Sequence, residues 1–255
     1  MNQFLAKLRS SKPERVAFKA QVNTGGELEL QCYDVIGQDY FGEGITVSNF
    51  SDAIKEAGDY SSVKLKINSP GGDVFEAVAI YNLLRAQGKP VYAVVEGLAA
   101  SAASVVAMAG DTVTMGTGTM MMIHNAMMMA FGNADELRKC ADTLDTVSGS
   151  IADIYAENTG MPKADCQKLM DAETWMDAED CVKNGFADET APGEEITNTF
   201  NLAVYAKVPE KLKTAPVVAG LDLATKDEPE IVIVPVEDPM IDIQRKRIAL
   251  LRARG

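Results

Sequence analysis

The sequence has few of the residues from which metal sites and disulfide frameworks are built. One histidine and four cysteines occur in 255 residues, and no two of the cysteines form a Cys-x-x-Cys pair; they are Cys32, Cys140, Cys166 and Cys181. Structural zinc sites need clustered Cys and His ligands, and disulfide frameworks belong mainly to short secreted chains. We therefore expect no metal, no other cofactor and four reduced cysteines in a cytoplasmic protein.

Long apolar runs are absent as well. No uninterrupted apolar stretch approaches the roughly 20 residues that a membrane-spanning helix needs, and the N-terminus lacks the apolar core of a secretory signal. A net charge of −13 disfavours binding to nucleic acid. The 47% of hydrophobic and 24% of charged residues are typical of a globular protein. We therefore expect neither a membrane nor a nucleic-acid partner.

Strand patterns and helix patterns alternate along most of the chain. Residues 63–68 alternate apolar and polar side chains, and residues 91–97 form an apolar run, as strands do. Between them, residues 73–88 carry an apolar stripe with helical spacing that ends at Gly88. This repetition predicts an α/β fold with a mainly parallel sheet.

A long helix is predicted over residues 134–158. Asn133 and Glu136 have the spacing of a capping box, and apolar residues recur every three or four positions as far as Gly160. The helix exceeds the usual ~10–14 residues. It would either project from the body and pack against a second copy of the chain or lie in the core of one subunit.

Composition divides the chain into three parts. We assign residues 1–26 to an N-terminal segment and residues 27–190 to the folded domain. Residues 191–255 combine acidic, proline-bearing linkers with a basic tail, because five of the 24 Lys and Arg residues lie in the last 11 positions. We expect that tail to form a short basic helix that contacts acidic surfaces.

The stretch "VEGLAASAAS", residues 95–104, is the first candidate for chemistry. We predict a strand that ends at Gly97 and a following helix of small residues, with Ser101 in its first turn. Free backbone N–H groups at such a position can stabilise a developing negative charge. The alternative is that Ser101 and Ser104 only pack in a buried helix and bond to carbonyl groups one turn earlier.

Two further motifs gain meaning only together with Ser101. The turn "SPGG", which contains Gly71 and Gly72, follows a strand and permits close approach of another backbone. His124, in "MMMIHNAMMM", is the only histidine, so a Ser-His mechanism must use it. Taken alone, the first motif is consistent with a plain turn and the second with a packed core histidine.

Together these residues resemble the Clp protease proteolytic-subunit family, within the ClpP/crotonase fold group. The resemblance rests on "INSPGGDVFEAVAIYN", "GLAASAAS", "MIHN" and "ETWMDAEDCVKNGFAD", which occur in the family's order within roughly residues 27–190. It implies a ClpP/crotonase-like fold in which residues 134–158 form the handle helix. It also implies a serine endopeptidase that assembles into homo-oligomeric rings and cleaves protein substrates.

The resemblance further implies roles for individual residues. Ser101 matches the nucleophile and His124 the base, and the amides of Gly72 and Ala102 match the oxyanion hole. Glu173 stands where the family has its triad aspartate, which is a departure from the pattern. Substrate contacts are expected from four further residues: Gly71, Met127, Met128 and Met129.

A second departure from the family pattern points to one group of Clp-like proteases. The residues "NAMMMAFGNADELRK" after the histidine, and the basic tail, are similar to the Clp-like head maturation (prohead) proteases of tailed bacteriophages. That likeness implies cleavage of capsid or scaffold proteins inside the procapsid, in the host cytoplasm. The alternatives are a cellular ATP-dependent Clp proteolytic subunit that works with an unfoldase in the bacterial cytoplasm, a crotonase-type acyl-CoA enzyme, and an inactive capsid-assembly protein.

Paired substitutions identify the acid that assists His124. If Glu173 is the third member of the triad, Glu173→Ala should reduce kcat by about 10⁴-fold, whereas Asp171→Ala should cost far less. The measurement is peptide hydrolysis by the two purified variants, with thermal unfolding as the control for folding. A larger loss in Asp171→Ala would transfer the role to that residue.

Overall fold

The computed structural model describes residues 18–38, 42–192 and 200–213. The chain divides into one unit of Met1–Val218 and a second of Ala219–Gly255, and every described residue belongs to the first. The predicted basic helix of the tail therefore lies outside the described residues.

A mainly parallel sheet of eight strands forms the body of the described chain. Its order is β1-β2-β3-β4-β5-β8, and β6 pairs with both β4 and β7. The pairs β1–β2 and β6–β7 are antiparallel, while the other pairs are parallel. The predicted α/β fold with a mainly parallel sheet is confirmed. The strands are β1 Phe18–Val22, β2 Glu27–Cys32, β3 Ser62–Ser69, β4 Val91–Ala100, β5 Thr112–Gly116, β6 Met120–Ile123, β7 Thr174–Asp177 and β8 Glu189–Ala191.

Local capping interactions fix where the longer helices begin. The Asn133 side chain accepts hydrogen bonds from the first turn of α4, and the Glu136 carboxylate accepts the Asn133 N–H at 2.8 Å. The predicted capping box is therefore confirmed. Asp73 caps α2 in the same way, by accepting the N–H of Phe75 at 2.8 Å. The helices are α1 Val47–Ala57, α2 Val74–Arg85, α3 Ala102–Ala107, α4 Ala134–Thr159, α5 Lys163–Asp171, α6 Ala178–Lys183 and α7 Glu210–Lys213.

The long helix α4 is exposed along most of its length in this chain. None of residues 134–150 is buried, and the helix contributes only Ile151, Ala152 and Tyr155 to the core. The expectation of a helix in the core of one subunit therefore holds only for its last turns. The remainder offers a long surface outside the core.

Along the edge opposite β3, the strand β4 pairs first with β5 and then with β6, and this change of partner positions the site. Residues 92–95 pair with β5, whereas residues 98–100 pair with β6. The prediction of a strand that ends at Gly97 and a helix that already includes Ser101 is therefore wrong. Because residues 98–100 remain in the sheet through their pairing with β6, Ser101 itself joins β4 to α3.

A second apolar cluster covers the face of the sheet formed by β4 and β6. Side chains along β6 alternate, so Met120 and Met122 belong to this cluster, while Met121 and Ile123 belong to the main core. Burial of such a side chain contributes roughly 1.5–3 kcal/mol. Residues 200–208, which composition assigns to a linker, supply much of the cluster. Its other buried members are Val35, Leu98, Ala100, Phe200, Leu202, Tyr205 and Val208.

Candidate active site

Ser101 has a strained backbone at the junction of β4 and α3. Its φ is 54° and its ψ is −122°, and among the described non-glycine residues only Ser101 and Glu173 (φ 47°) have a positive φ. Such conformations cost about 1–3 kcal/mol each and concentrate at functional sites. The Ser101 N–H donates to the Met122 carbonyl at 2.8 Å, which fixes the junction against the end of β6.

The Ser101 hydroxyl lies against the imidazole of His124. The distance from Ser101 Oγ to His124 Nε2 is 2.7 Å, as expected for a nucleophile and its base. β6 ends at Ile123, so the histidine follows it directly, and the pairing of β6 with β4 brings the two side chains together.

Burial and charge act on His124 in opposite directions. Burial lowers the pKa of His124 below its ordinary value of 6.5, and the charge of Glu173 raises it by less. The imidazole is therefore neutral at pH 7, which is the form that can accept a proton from a serine.

Ser104, the neighbouring serine, has a packing role. It is buried, and its hydroxyl donates to the Ser101 carbonyl at 2.6 Å and lies 2.8 Å from the Tyr155 hydroxyl. Since a carbonyl oxygen can only accept, Ser104 accepts its second bond from Tyr155. Both hydrogen-bonding functions of Ser104 are thus used inside the protein.

The "SPGG" turn packs directly against the Ser101 junction. A Cβ atom added to Gly71 would lie 2.4 Å from the Ala100 carbonyl oxygen and 2.8 Å from Ser101 Cβ. Only a glycine permits this approach, which brings the turn beside the serine.

Two backbone amides next to the serine have no acceptor within the described part of the chain. Ile36 donates to the Gly71 carbonyl at 2.9 Å and accepts from Asp73 at 2.8 Å, so the intervening N–H of Gly72 is bypassed. Ala102 is the first residue of α3, where a helix provides no acceptor for its N–H. Both amides are available to a bound anion or carbonyl oxygen.

The carboxylate of Glu173 faces the C-terminal segment. It accepts the N–H groups of Ala206 at 2.9 Å and Lys207 at 2.6 Å, and the indole N–H of Trp175 at 3.3 Å. Burial alone would raise the pKa of Glu173, but these donors and His124 lower it below 4.5. No hydrogen bond joins Glu173 to His124 in the described structure, so the carboxylate acts on the imidazole through its charge.

The remaining residues expected at the site are Asp171 and the three methionines that follow His124. Asp171 accepts a hydrogen bond from the Asn125 side chain at 2.7 Å. A cleft opens beside Ser101 and His124. Met127, Met128 and Met129 are all exposed, and Met127 alone of the three lines the cleft. The apolar wall of the cleft consists of Val74, Val105, Ala126, Met127, Ile151 and Tyr155.

Sequence reasoning missed Tyr205, whose ring lies 5.3 Å from the His124 ring. The available signal was the apolar pattern of "FNLAVYAKV", residues 200–208, between two polar stretches. That pattern predicts burial, but nothing in the sequence indicates that these residues pack against His124.

Neither a metal site nor a membrane span emerges from the described residues. Within residues 18–38, 42–192 and 200–213, no group of three or more His, Cys, Asp or Glu side chains is placed to hold a metal ion. None of the helices over the same residues is long and apolar enough to cross a membrane.

A hydrogen-bonded Ser-His pair at the end of a mainly parallel sheet, beside two free amides, is the arrangement of a serine hydrolase. Residues 53–193 match the model of the Clp protease family. The chain is 31% identical over 180 residues to ATP-dependent Clp protease proteolytic subunit 1 of Chlamydia abortus, which covers 64% of this chain and 94% of that protein. The chain therefore belongs to the Clp protease family, which consists of serine peptidases.

A second relative matches less of its length. The ATP-dependent Clp protease proteolytic subunit of Deinococcus radiodurans is 30% identical over 134 residues, and the match covers 50% of this chain and 63% of that protein. Both matches agree with the expected fold and with the expected class of peptide-bond hydrolase.

The pH dependence of Ser101 reactivity follows from the burial of His124. Protonated imidazole cannot accept the serine proton, so the rate of modification by a fluorophosphonate should rise with pH through the folded pKa of His124. Because burial lowers that pKa, the midpoint should lie below pH 6.5.

Neutralising Glu173 provides the matched test of this pH dependence. Glu173→Gln removes the charge that raises the pKa of His124, so the midpoint should move further down. Asp171→Asn is the control and should leave it unchanged. A wild-type midpoint above 6.5 would contradict the buried, neutral histidine.

Proposed function

We propose that this chain is a serine endopeptidase in which Ser101 is the nucleophile and His124 the general base. The observation that carries the proposal is the 2.7 Å hydrogen bond from Ser101 Oγ to His124 Nε2. A serine hydroxyl is a weak nucleophile until a base removes its proton. Membership of the Clp protease family supports the same assignment.

Acylation begins when Ser101 Oγ attacks the carbonyl carbon of the scissile peptide bond and its proton passes to His124. Negative charge then develops on the carbonyl oxygen. We assign its stabilisation to the free N–H groups of Gly72 and Ala102. The imidazolium next protonates the leaving amine, the C–N bond breaks, and an acyl ester remains on the serine.

Deacylation repeats the sequence with water. His124 takes a proton from the attacking water, the ester bond breaks, and the proton returns to Ser101 Oγ. We assign to Glu173 the stabilisation of the imidazolium that forms in both halves, since its charge already raises the pKa of His124. Asp171 is the alternative acid, but its carboxylate is bonded to Asn125.

We assign the apolar cleft to a substrate side chain. Met127 lines it, and a methionine side chain adapts to partners of different shapes. Met128 and Met129 would contact substrate only outside the cleft. The Gly71 N–H already donates to the Ser69 hydroxyl at 3.1 Å, so the contribution of Gly71 is close backbone approach.

For the biological setting we propose head maturation, in which homo-oligomeric rings of the enzyme cleave capsid or scaffold proteins inside a procapsid in the host cytoplasm. The segment after His124 and the basic tail support this setting. The exposed surface of α4 suits contacts between copies of the chain.

A second setting is a cellular proteolytic subunit that receives unfolded chains from an ATP-driven unfoldase. The observation that favours it is the similarity to relatives that are named as ATP-dependent Clp protease proteolytic subunits. The chemistry at Ser101 is the same in both settings, and only the supply of substrate differs.

Covalent labelling tests the chemistry. A fluorophosphonate should modify the purified protein at Ser101, with loss of fluoride, and His124→Ala should lower the labelling rate by at least about 10³-fold. Ser104→Ala is the matched control and should still label. Absence of label on folded, assembled wild-type protein would contradict the proposal and favour an acyl-CoA enzyme or an inactive assembly protein.

A comparison of substrate supply tests the setting. In the head-maturation setting, the protein should cleave a co-expressed scaffold protein, and a bacterial Clp unfoldase with ATP should not stimulate it. The Ser101→Ala variant is the control for contaminating proteases. Degradation of a folded, tagged protein that requires both ATP and the unfoldase would favour the cellular setting.

A further inference from the structure

A segment beyond the family match covers the back of the Ser-His pair. The match ends at residue 193, whereas residues 200–208, here called the strap, pack against β4 and β6. Four strap residues are buried in the second apolar cluster: Phe200, Leu202, Tyr205 and Val208. The strap is thus part of the folded body.

Tyr205 is the strap residue that reaches the pair. Its side chain is 5% exposed, and its hydroxyl donates to the Pro70 carbonyl at 2.6 Å. Its ring meets the His124 ring edge to face, with 5.3 Å between centroids and an interplanar angle of 81°. One side chain therefore contacts both the glycine turn and the base.

Tyr205 lies away from the cleft. The residues that line the cleft include Ser101, His124 and Tyr155, but Tyr205 is not among them. Its ring therefore leaves the cleft beside the serine open, which argues against a role as a plug of the substrate path.

The strap also holds the acid. The backbone N–H groups of Ala206 and Lys207 donate to the Glu173 carboxylate, and the Lys207 ammonium donates to the Ala172 carbonyl. Glu173 therefore keeps its position near His124 through the strap, while no hydrogen bond in the described structure ties it to the imidazole.

We propose that Tyr205 is a positioning residue for His124, a role that rests on the proposed function of the Ser-His pair. Its edge-to-face contact holds the imidazole plane so that Nε2 points at Ser101 Oγ. Its hydroxyl, anchored on Pro70, ties that orientation to the turn that carries the Gly72 amide. It also excludes water from one face of the ring.

The geometry supplies a reason why this chain needs such a contact. A triad carboxylate normally fixes the imidazole by a hydrogen bond to its second nitrogen. Glu173 uses its oxygens for Ala206, Lys207 and Trp175 instead. The Tyr205 ring, in T-shaped contact with the imidazole, performs the orienting part of that task.

The single histidine and single tryptophan make the proposal directly measurable. In an untagged full-length chain with ¹³C-labelled histidine, the one imidazole resonance reports the pKa of His124 without assignment. The emission of Trp175, which packs 6.1 Å from the Tyr205 ring and donates to Glu173, reports whether the strap is docked.

Tyr205→Ala should raise the pKa of His124, because water reaches the ring and the burial that lowers the pKa is relieved. The other groups that act on the imidazole are Ser101 and Glu173, and Asp171 is bonded to the side chain of the next residue, Asn125. The midpoint of the fluorophosphonate labelling rate should move to higher pH. The plateau that this rate reaches at high pH should fall about 10- to 100-fold.

Two further variants separate positioning from packing. Tyr205→Phe retains the ring and loses the bond to Pro70, so the pKa of His124 should stay close to wild type while the plateau falls by a few-fold. Val208→Ala removes apolar volume from the same strap without touching the pair. It should lower Tm while leaving the pKa and the plateau unchanged.

The outcomes also distinguish this inference from the proposed function. If Ser101 labels normally and Tyr205→Ala and Val208→Ala have equal effects on pKa and plateau, Tyr205 only packs and the inference fails alone. A plateau that rises in Tyr205→Ala would overturn positioning in favour of inhibition by the strap. If wild-type Ser101 does not label at all, the proposed function fails, and the positioning role fails with it whatever the His124 titration shows.

Discussion

The close approach of the glycine turn to the β4–α3 junction is the constraint on which the site depends. Gly71 fits against the Ala100 carbonyl and Ser101 Cβ at distances that no side chain at position 71 would tolerate. This contact sets the Gly72 amide beside the serine, and the end of β6 sets His124 on its other side. The glycine turn, the end of β6 and the start of α3 therefore come together at Ser101.

Backbone strain is concentrated at that point. Ser101 and Glu173 are the non-glycine residues with positive φ in the described chain, and each such conformation costs about 1–3 kcal/mol. The surrounding structure offsets this cost by over-determining both positions. β6 holds the N–H of the serine, and the strap holds the carboxylate of the acid. Both strained residues belong to the site that we propose for catalysis.

The sequence predicted those parts of the fold that local periodicity encodes. The α/β class, the helix α2 and the capping box at Asn133 follow from patterns within about 16 residues. The Ser101 junction did not follow, because small apolar residues suit a buried helix as well as a strand. Pairing with β6, a segment about 20 residues later, decides in favour of the strand. Tyr205 was missed for the same reason, since burial beside a site is a tertiary property.

Glu173, which stands where the family resemblance places an aspartate, is bound by the strap. A glutamate side chain is longer by one methylene group, and from a backbone with φ of 47° it reaches the N–H groups of Ala206 and Lys207. Those donors keep it ionised, but they also draw it away from a direct bond with His124. Burial lowers the pKa of the imidazole, and the charge of Glu173 opposes this only in part, so the neutral form that can accept a proton is favoured. We therefore assign the orienting contact to the ring of Tyr205, which lies against the imidazole.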